Sequence, residues 1–124
     1  MSFLFVGLGG AIGAVLRYLT GNVMGSVLGK VFPYGTLVAN LAGAFLIGIL
    51  FVYLNKLSIN ENYNLFLITG LLGGFTTFSS FTLDIAKLAQ NGDYKLAILY
   101  FTITNTVGLL LVFLGIFLTK KLTA

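Results

Sequence analysis

The sequence predicts an all-α membrane protein with four transmembrane helices. Of its 124 residues, 58% are hydrophobic and only 8% are charged, and the mean hydropathy is +1.04. A soluble domain carries about 25% charged residues. Because a membrane-spanning helix needs about 20 mostly apolar residues, the chain accommodates four spans with short connections. We therefore expect a single transmembrane domain over residues 1–124.

The composition also excludes several classes of function. The chain has no cysteine and no histidine, which removes disulfides, thiolate nucleophiles, imidazole metal sites and histidine proton relays. We expect no enzymatic activity. The net charge of +4 is small and scattered along the chain, so we expect no nucleic-acid partner.

Polar or turn-forming residues separate the four apolar segments. We predict helices over residues 3–28, 34–54, 63–89 and 94–118. Pro33 marks the first connection because proline disfavours helix in the residue before it. The polar stretch at 55–62 is the second connection, and the turn-forming residues 90–93 are the third.

Helix 1 carries a small-residue stripe with a charge in its middle. The residues recur every four positions along one side of the helix: Gly9, Gly13, Arg17, Gly21, Gly25 and Gly29. We interpret the glycines as contacts that allow helices to approach closely. Arg17 is a costly intramembrane charge; it either extends its guanidinium to the interface or has a role at a vestibule.

Helix 2 carries one polar stripe, which consists of Thr36, Asn40 and Gly43. Asn40 must find a hydrogen-bonding partner in the membrane. An interhelical hydrogen bond is one explanation, and donation to a permeating anion is the other. Both remain open from the residues alone.

Helix 3 carries the most informative segment, which reads TGLLGGFTTFSSF over residues 69–81. A Gly-Gly pair followed by four hydroxyl residues is unfavourable for an uninterrupted helix. We predict a break near Gly73 to Thr77. Backbone carbonyls freed by such a break coordinate cations such as sodium in transporters.

Two aromatic residues lie just beyond the predicted break. Phe78 and Phe81 are three residues apart and face roughly the same way. The edge of an aromatic ring is positive, so it can contact an anion without offering it a formal charge. Conduction requires binding that is weak enough to release the ion. Packing against protein or lipid is the alternative, but the adjacent Ser79 and Ser80 hydroxyls favour a pore.

Helix 4 repeats the polar arrangement of helix 2. Tyr100 and Thr104 are spaced i, i+4, and Gly108 continues their stripe. Tyrosine and threonine both supply neutral hydrogen-bond donors.

The basic residues are balanced between the two sides of the predicted bundle. Lys56, Lys120 and Lys121 lie on one side, against three lysines at positions 30, 87 and 95 on the other. The Lys/Arg imbalance of short loops sets orientation, so this balance predicts dual topology and an antiparallel homodimer. A weak bias from Arg17 toward one orientation is the alternative.

The sequence closely resembles the Fluc (CrcB) family of bacterial fluoride channels over essentially its whole length. Three segments carry the resemblance: GGAIGAVLRY at 9–18, GTLVANLAGAFLIG at 35–48 and GGFTTFSSFTLD at 73–84. The third is highly specific. The resemblance implies an antiparallel, dual-topology homodimer with two passive pores selective for fluoride over chloride. It also implies a location in the cytoplasmic membrane, with the lipid bilayer as surroundings, and a role in fluoride resistance.

The resemblance also implies roles for individual residues. The implied fluoride pore consists of Asn40, Phe78, Phe81, Ser79, Ser80, Tyr100, Thr104 and Thr36. Arg17 is similar to the family's vestibule arginine. The main-chain carbonyls of Gly73 and Thr76 are similar to the ligands of a structural sodium ion at the dimer centre.

The sequence departs from the family at two positions. Asp84 stands where the family often has glutamate, which shortens that carboxylate and leaves its role at the pore end open. Gly108 stands where relatives can carry serine, so a hydroxyl there is missing.

Two other classes of function remain as alternatives. A proton-coupled exporter of small cations needs a membrane-embedded carboxylate, and Asp84, toward the end of helix 3, is the only carboxylate within the predicted helices. A purely structural membrane subunit would explain the glycines but not the polar stripes on three helices.

Overall fold

The computed structural model describes all residues 1–124 and contains helices but no strands. Helix α1 spans Ser2–Leu28, α2 spans Tyr34–Leu57, and the last helix, α5, spans Tyr94–Leu122. The third span is divided into α3, over residues 61–75, and α4, over Phe78–Gln90. Four segments are long and apolar enough to cross a membrane. The prediction of four transmembrane helices with a broken third helix is therefore confirmed.

The connections are short and use the expected residues. Gly29 ends α1 with φ 88° and ψ 177°, a conformation that favours glycine because it has no Cβ. Pro33 directly precedes α2, and Ser58 follows α2 with φ 48°. The three uninterrupted helices α1, α2 and α5 differ from the predicted bounds by at most four residues. The largest difference is the extension of α5 to Leu122.

Helix α3 is not a regular α-helix. It consists of one α-helical turn at Glu61–Asn64, a π-helical segment at Leu65–Leu72 and a final α-helical turn at Gly73–Phe75. A π-helix bonds each N–H to the carbonyl five residues earlier and is frequent at functional sites. The third span is therefore irregular well before it breaks.

The break itself lies at Thr76 and Thr77. Thr76 is extended, with φ −83° and ψ 157°, and Thr77 has φ −153° and ψ 124°. Gly73 stays in the right-handed helical region, with φ −61° and ψ −37°. The glycines therefore do not cause the break through unusual backbone conformations, whereas the two threonines, which favour extended backbone, occupy it.

The glycine stripe of α1 has two different uses. A methyl group added at Gly9 or Gly13 would collide with backbone atoms of α3, the Leu71 carbonyl among them, so here the helices touch through their backbones. Gly25 and Gly29 instead line a cavity near the end of α1. Within this chain the interpretation as packing residues is confirmed for Gly9 and Gly13, whereas no other helix of the chain lies against Gly25 or Gly29.

The helices pack as two close pairs. α1 packs on α3, and α2 packs on α5, where a methyl group at Gly48 or Gly115 would collide with the backbone of the opposite helix. Helix α4 packs mainly against α5. Only 16 of 124 residues are buried within the single chain, so most of the apolar surface is left for lipid or for another copy.

Candidate functional site

The centre of the site is a side-chain clamp on the break. The Asn40 amide nitrogen donates to the Thr77 carbonyl at 3.0 Å, and the Thr77 N–H donates to the Asn40 carbonyl oxygen at 2.7 Å. Asn40 therefore pairs with the extended backbone as a neighbouring β-strand would. An amide has two N–H groups, so one donor on Asn40 remains for another partner.

The clamp changes the hydrogen bonding of two backbone carbonyls. In a continuous helix the carbonyl of Gly73 would accept the N–H of Thr77, and that of Thr76 would accept the N–H of Ser80. The Thr77 N–H goes instead to Asn40, and the Ser80 N–H goes to the Thr77 hydroxyl at 3.2 Å. Neither carbonyl thus has its helical donor, which is the state that oxygen ligands of a hard cation require.

The Thr77 side chain caps the helix that follows. Besides accepting from Ser80, its hydroxyl lies 3.3 Å from the Ser79 hydroxyl and donates to the Ser80 hydroxyl at 3.2 Å. Thr77 was predicted as one end of the break but not as a site residue. The signal was present, because threonine is a preferred residue immediately before the first turn of a helix.

The aromatic residues form a chain that runs from the surface to the interior. Phe78 is 77% exposed, whereas Phe81 is 4% exposed. Their ring centroids lie 6.0 Å apart at 54°. Phe81 packs against Tyr100 with centroids 5.1 Å apart and an interplanar angle of 70°. The two rings lie next to each other, but Phe78 is at the surface of the chain and Phe81 is buried, so their exposures differ although the spacing predicted that they face roughly the same way.

The other predicted polar residues lie along α5 and beside it. The Tyr100 hydroxyl donates to Asp84 Oδ2 at 3.3 Å. One turn further along α5, the Thr104 hydroxyl is buried and has no hydrogen-bond partner. An unpartnered buried hydroxyl is unfavourable, so Thr104 is the one side chain here whose polar atom is buried without a hydrogen bond.

A cavity of about 360 Å³ opens where α1 ends and α2 begins. Thr36 and Asp84 lie in its wall together with Gly25 and two lysines, Lys30 and Lys87. Arg17 does not line this cavity, is partly buried, and makes no ion pair or side-chain hydrogen bond within the chain. The structure thus brings Asn40, the serines and the phenylalanines to the break and leaves Arg17 apart from them.

Most of the chain matches a known protein family. Residues 4–116 match the model of a family described as CrcB-like protein, Camphor Resistance (CrcB). A protein of Hydrogenobaculum sp. (strain Y04AAS1) called "Fluoride-specific ion channel FluC" is 48% identical over 119 residues, which are 95% of this chain and 97% of that one.

Two more relatives carry the same name. That of Helicobacter pylori (strain HPAG1) is 46% identical over 121 residues, covering 96% of this chain and 93% of the relative. That of Aquifex aeolicus (strain VF5) is 45% identical over 118 residues, covering 94% and 95%. The similarity therefore extends over nearly the full length of each protein.

Proposed function

The chain belongs to the CrcB-like family, and we propose that it is a fluoride-selective ion channel that lets fluoride leave the cell passively across the cytoplasmic membrane. The identity of the ion rests on relatives that are 45–48% identical and are called fluoride-specific channels. Export of fluoride would make the cell resistant to it. No covalent step is involved.

The observation that supports conduction is a set of uncharged donors that the chain itself leaves unsatisfied on α2 and α5. Thr104 offers a buried hydroxyl with no partner, and Asn40 keeps one amide N–H after it clamps Thr77. A hydrated ion must exchange water for such groups to pass. Neutral donors bind an anion less tightly than a buried lysine would, so the ion can leave again.

The pore is completed by a second copy of the chain in this proposal. The Phe78 ring is 77% exposed, and Asn105 is exposed in the middle of α5, where its amide nitrogen donates to the carbonyl of Phe101 at 2.7 Å. An amide is costly to leave against lipid. The even distribution of lysines favours the antiparallel arrangement of the two copies.

A structural sodium ion fits the break chemically. Gly73 and Thr76 both offer carbonyl oxygens without helical donors, and hard cations prefer oxygen ligands. A bound cation would neutralise these dipoles where two such breaks meet at a dimer axis. Gly73 and Thr76 also line a recess on the surface of the chain, which is where a second copy could add its own carbonyls.

The order of events follows from the positions of the groups. Fluoride loses part of its hydration shell in the cavity beside Thr36, passes the Asn40 amide and the edges of Phe78 and Phe81, and contacts the hydroxyls of the break. Phe81 is held by Tyr100 and Phe101, so its ring edge is fixed before the ion arrives. Such preorganisation lowers the cost of replacing water.

The alternatives have weaker support. Coupled antiport needs a carboxylate deep in the membrane, but Asp84 lies in the wall of an open, polar cavity and is only partly buried. A purely structural subunit leaves the unpartnered Thr104 hydroxyl without a purpose.

Fluoride efflux from liposomes that contain only this protein tests the proposal. A potassium gradient with valinomycin sets the voltage, and a fluoride electrode follows efflux. A channel gives voltage-driven fluoride flux that is unaffected by a pH gradient and far exceeds chloride flux. Flux that requires a proton gradient would contradict the channel in favour of an antiporter, and protein-independent leakage alone would contradict both.

A further inference from the structure

The cavity beside the start of α2 has basic side chains in its wall. It lies between the end of α1, the connection at residues 29–33, and the last turns of α4. Its lining includes two lysines, Lys30 and Lys87, and one carboxylate, Asp84. With a formal charge of +1, the cavity has the sign that attracts an anion.

Both lysine ammonium groups are free of ion pairs. Neither Lys30 nor Lys87 has a carboxylate oxygen within 4.0 Å, although Asp84 is three residues from Lys87 on the same helix. Asp84 instead accepts the hydroxyl proton of Tyr100 at 3.3 Å. Neither lysine is therefore neutralised by a direct ion pair, and the cavity keeps an excess of one positive charge.

The Lys30 side chain is folded back over α1. Its Cγ and Cε atoms lie 3.6 and 3.7 Å from the position where a Cβ on Gly25 would be. The helix ends at Gly29, whose positive φ turns the chain back across the helix. Lys30 thus lies along the cavity wall, and Gly25 leaves room for its aliphatic stem.

The cavity leads toward the groups of the proposed pore. Thr36, in its wall, is one helical turn from Asn40, and Asp84 is one turn from Phe81. Tyr100 joins these two sides, because it contacts both Asp84 and Phe81. An ion collected in the cavity would therefore be next to the first neutral donors of the pore.

We infer that Lys30 and Lys87 form an electrostatic funnel that concentrates fluoride at one end of the pore, a role that rests on the proposed channel function. Charges of one sign around a cleft with low-dielectric walls raise the local concentration of the opposite ion by tenfold or more. The lysines remain on the aqueous side of the neutral donors, so they speed capture of the ion without trapping it.

The experiment compares fluoride efflux for wild type, the double variant Lys30→Gln with Lys87→Gln, and Lys95→Gln. Lys95 lies on the same side of the bundle, in the first turn of α5, but does not line the cavity. It is thus a control for loss of a lysine on this side. Each protein is purified, reconstituted in neutral-lipid liposomes, and measured at roughly 10 mM and roughly 500 mM gluconate salt, conditions chosen because the screening length falls from about 30 Å to about 4 Å.

At low salt we expect the double variant to conduct fluoride about three- to tenfold more slowly than wild type, and Lys95→Gln to stay within about twofold. At high salt the difference should shrink to less than about twofold because bulk ions screen the lysines. Equal slowing at both salt concentrations, equal slowing by Lys95→Gln, or no slowing at all would overturn the funnel. Failure of wild type itself to conduct fluoride would overturn the proposed function instead.

Discussion

The two halves of the third span have opposite characters. Helix α3 touches α1 through backbone atoms, since added methyl groups at Gly70 or Gly74 would meet α1 backbone atoms at 2.8 and 2.5 Å. Helix α4 has no such contact and begins with Phe78, which is 77% exposed, and Ser79, which is also exposed. We call α3 the fixed half, because its backbone is packed against α1, and α4 the presenting half, because its first side chains are exposed at the surface of the chain.

This difference explains how an irregular backbone can be held in a membrane. The fixed half brings the chain to Thr76 in a defined position, and Asn40 then holds Thr77 from a second helix. Backbone groups at this depth must be satisfied by protein or by a polar cavity. The break is therefore a supported structure, which allows α4 to start at the same place in every copy.

The largest effect is expected where the fixed half is disturbed. Gly13→Ala would place a methyl group against the Leu71 carbonyl and 2.8 Å from the Phe75 nitrogen, both backbone atoms that cannot move aside easily. We expect loss of the folded protein on size-exclusion chromatography and no fluoride flux. Gly7→Ala is the matched control, because nothing lies within 4 Å of its added methyl group. Similar behaviour of both variants would contradict a rigid α1–α3 contact.

The second effect separates the two phenylalanines of the presenting half. Phe78→Ile should slow fluoride flux about tenfold or more, since loss of about 1.4 kcal/mol at the barrier is tenfold in rate, while the thermal midpoint stays near that of wild type. Phe81→Ile should slow flux as well but also lower the midpoint, because Phe81 is packed between Tyr100 and Phe101. Wild-type flux in both variants would contradict the pore assignment.

The third effect tests whether the junction of the two halves holds sodium. Exchange of sodium for N-methylglucamine should lower the thermal midpoint of the purified protein, because a ligand at about 100 times its Kd adds about 2.7 kcal/mol of stability. Differential scanning fluorimetry measures this without any flux assay. Titration with sodium should restore the midpoint with saturation, and a change that depends only on ionic strength would rule out a specific site at Gly73 and Thr76.

A smaller effect is expected from the clamp that joins the two halves. Asn40→Ala would leave the N–H and carbonyl of Thr77 unpaired, a cost of about 2 kcal/mol. Chemical denaturation in detergent measures this loss. Asn22→Ala, an exposed asparagine of α1 without a side-chain hydrogen bond, should leave stability unchanged. If Asn40→Ala were as stable as wild type, the clamp would not be what supports the break.

The sequence predicted the four spans and the position of the break, because apolar length and hydroxyl-rich composition are local properties. It did not predict the reason for the break. Gly73 and Gly74 suggested flexible backbone, yet Gly73 is helical and Gly74 serves to approach Gly10. It also could not pair Asn40 with Thr77, since such a contact depends on how α2 lies against α3 and α4. The cavity lined by Gly25 and Gly29 could not be predicted either, because it depends on how the connection at residues 29–33 folds back over α1.

The smallest effect on stability is expected from substitution of Thr104. This substitution tests whether the Thr104 hydroxyl only packs within the protein or also binds a permeating ion. Thr104→Val keeps the shape and removes a buried hydroxyl that has no partner, so stability should be unchanged or higher by up to about 1 kcal/mol. Flux should nevertheless fall severalfold if fluoride uses that donor. The control is Thr119→Val on the same helix, because the Thr119 hydroxyl already donates to the Gly115 carbonyl at 2.8 Å and is not free for an ion. Unchanged flux in Thr104→Val would mean that this hydroxyl contacts no permeating ion. The neutral donors of the proposed pore would then be only those on α2 and at the start of α4.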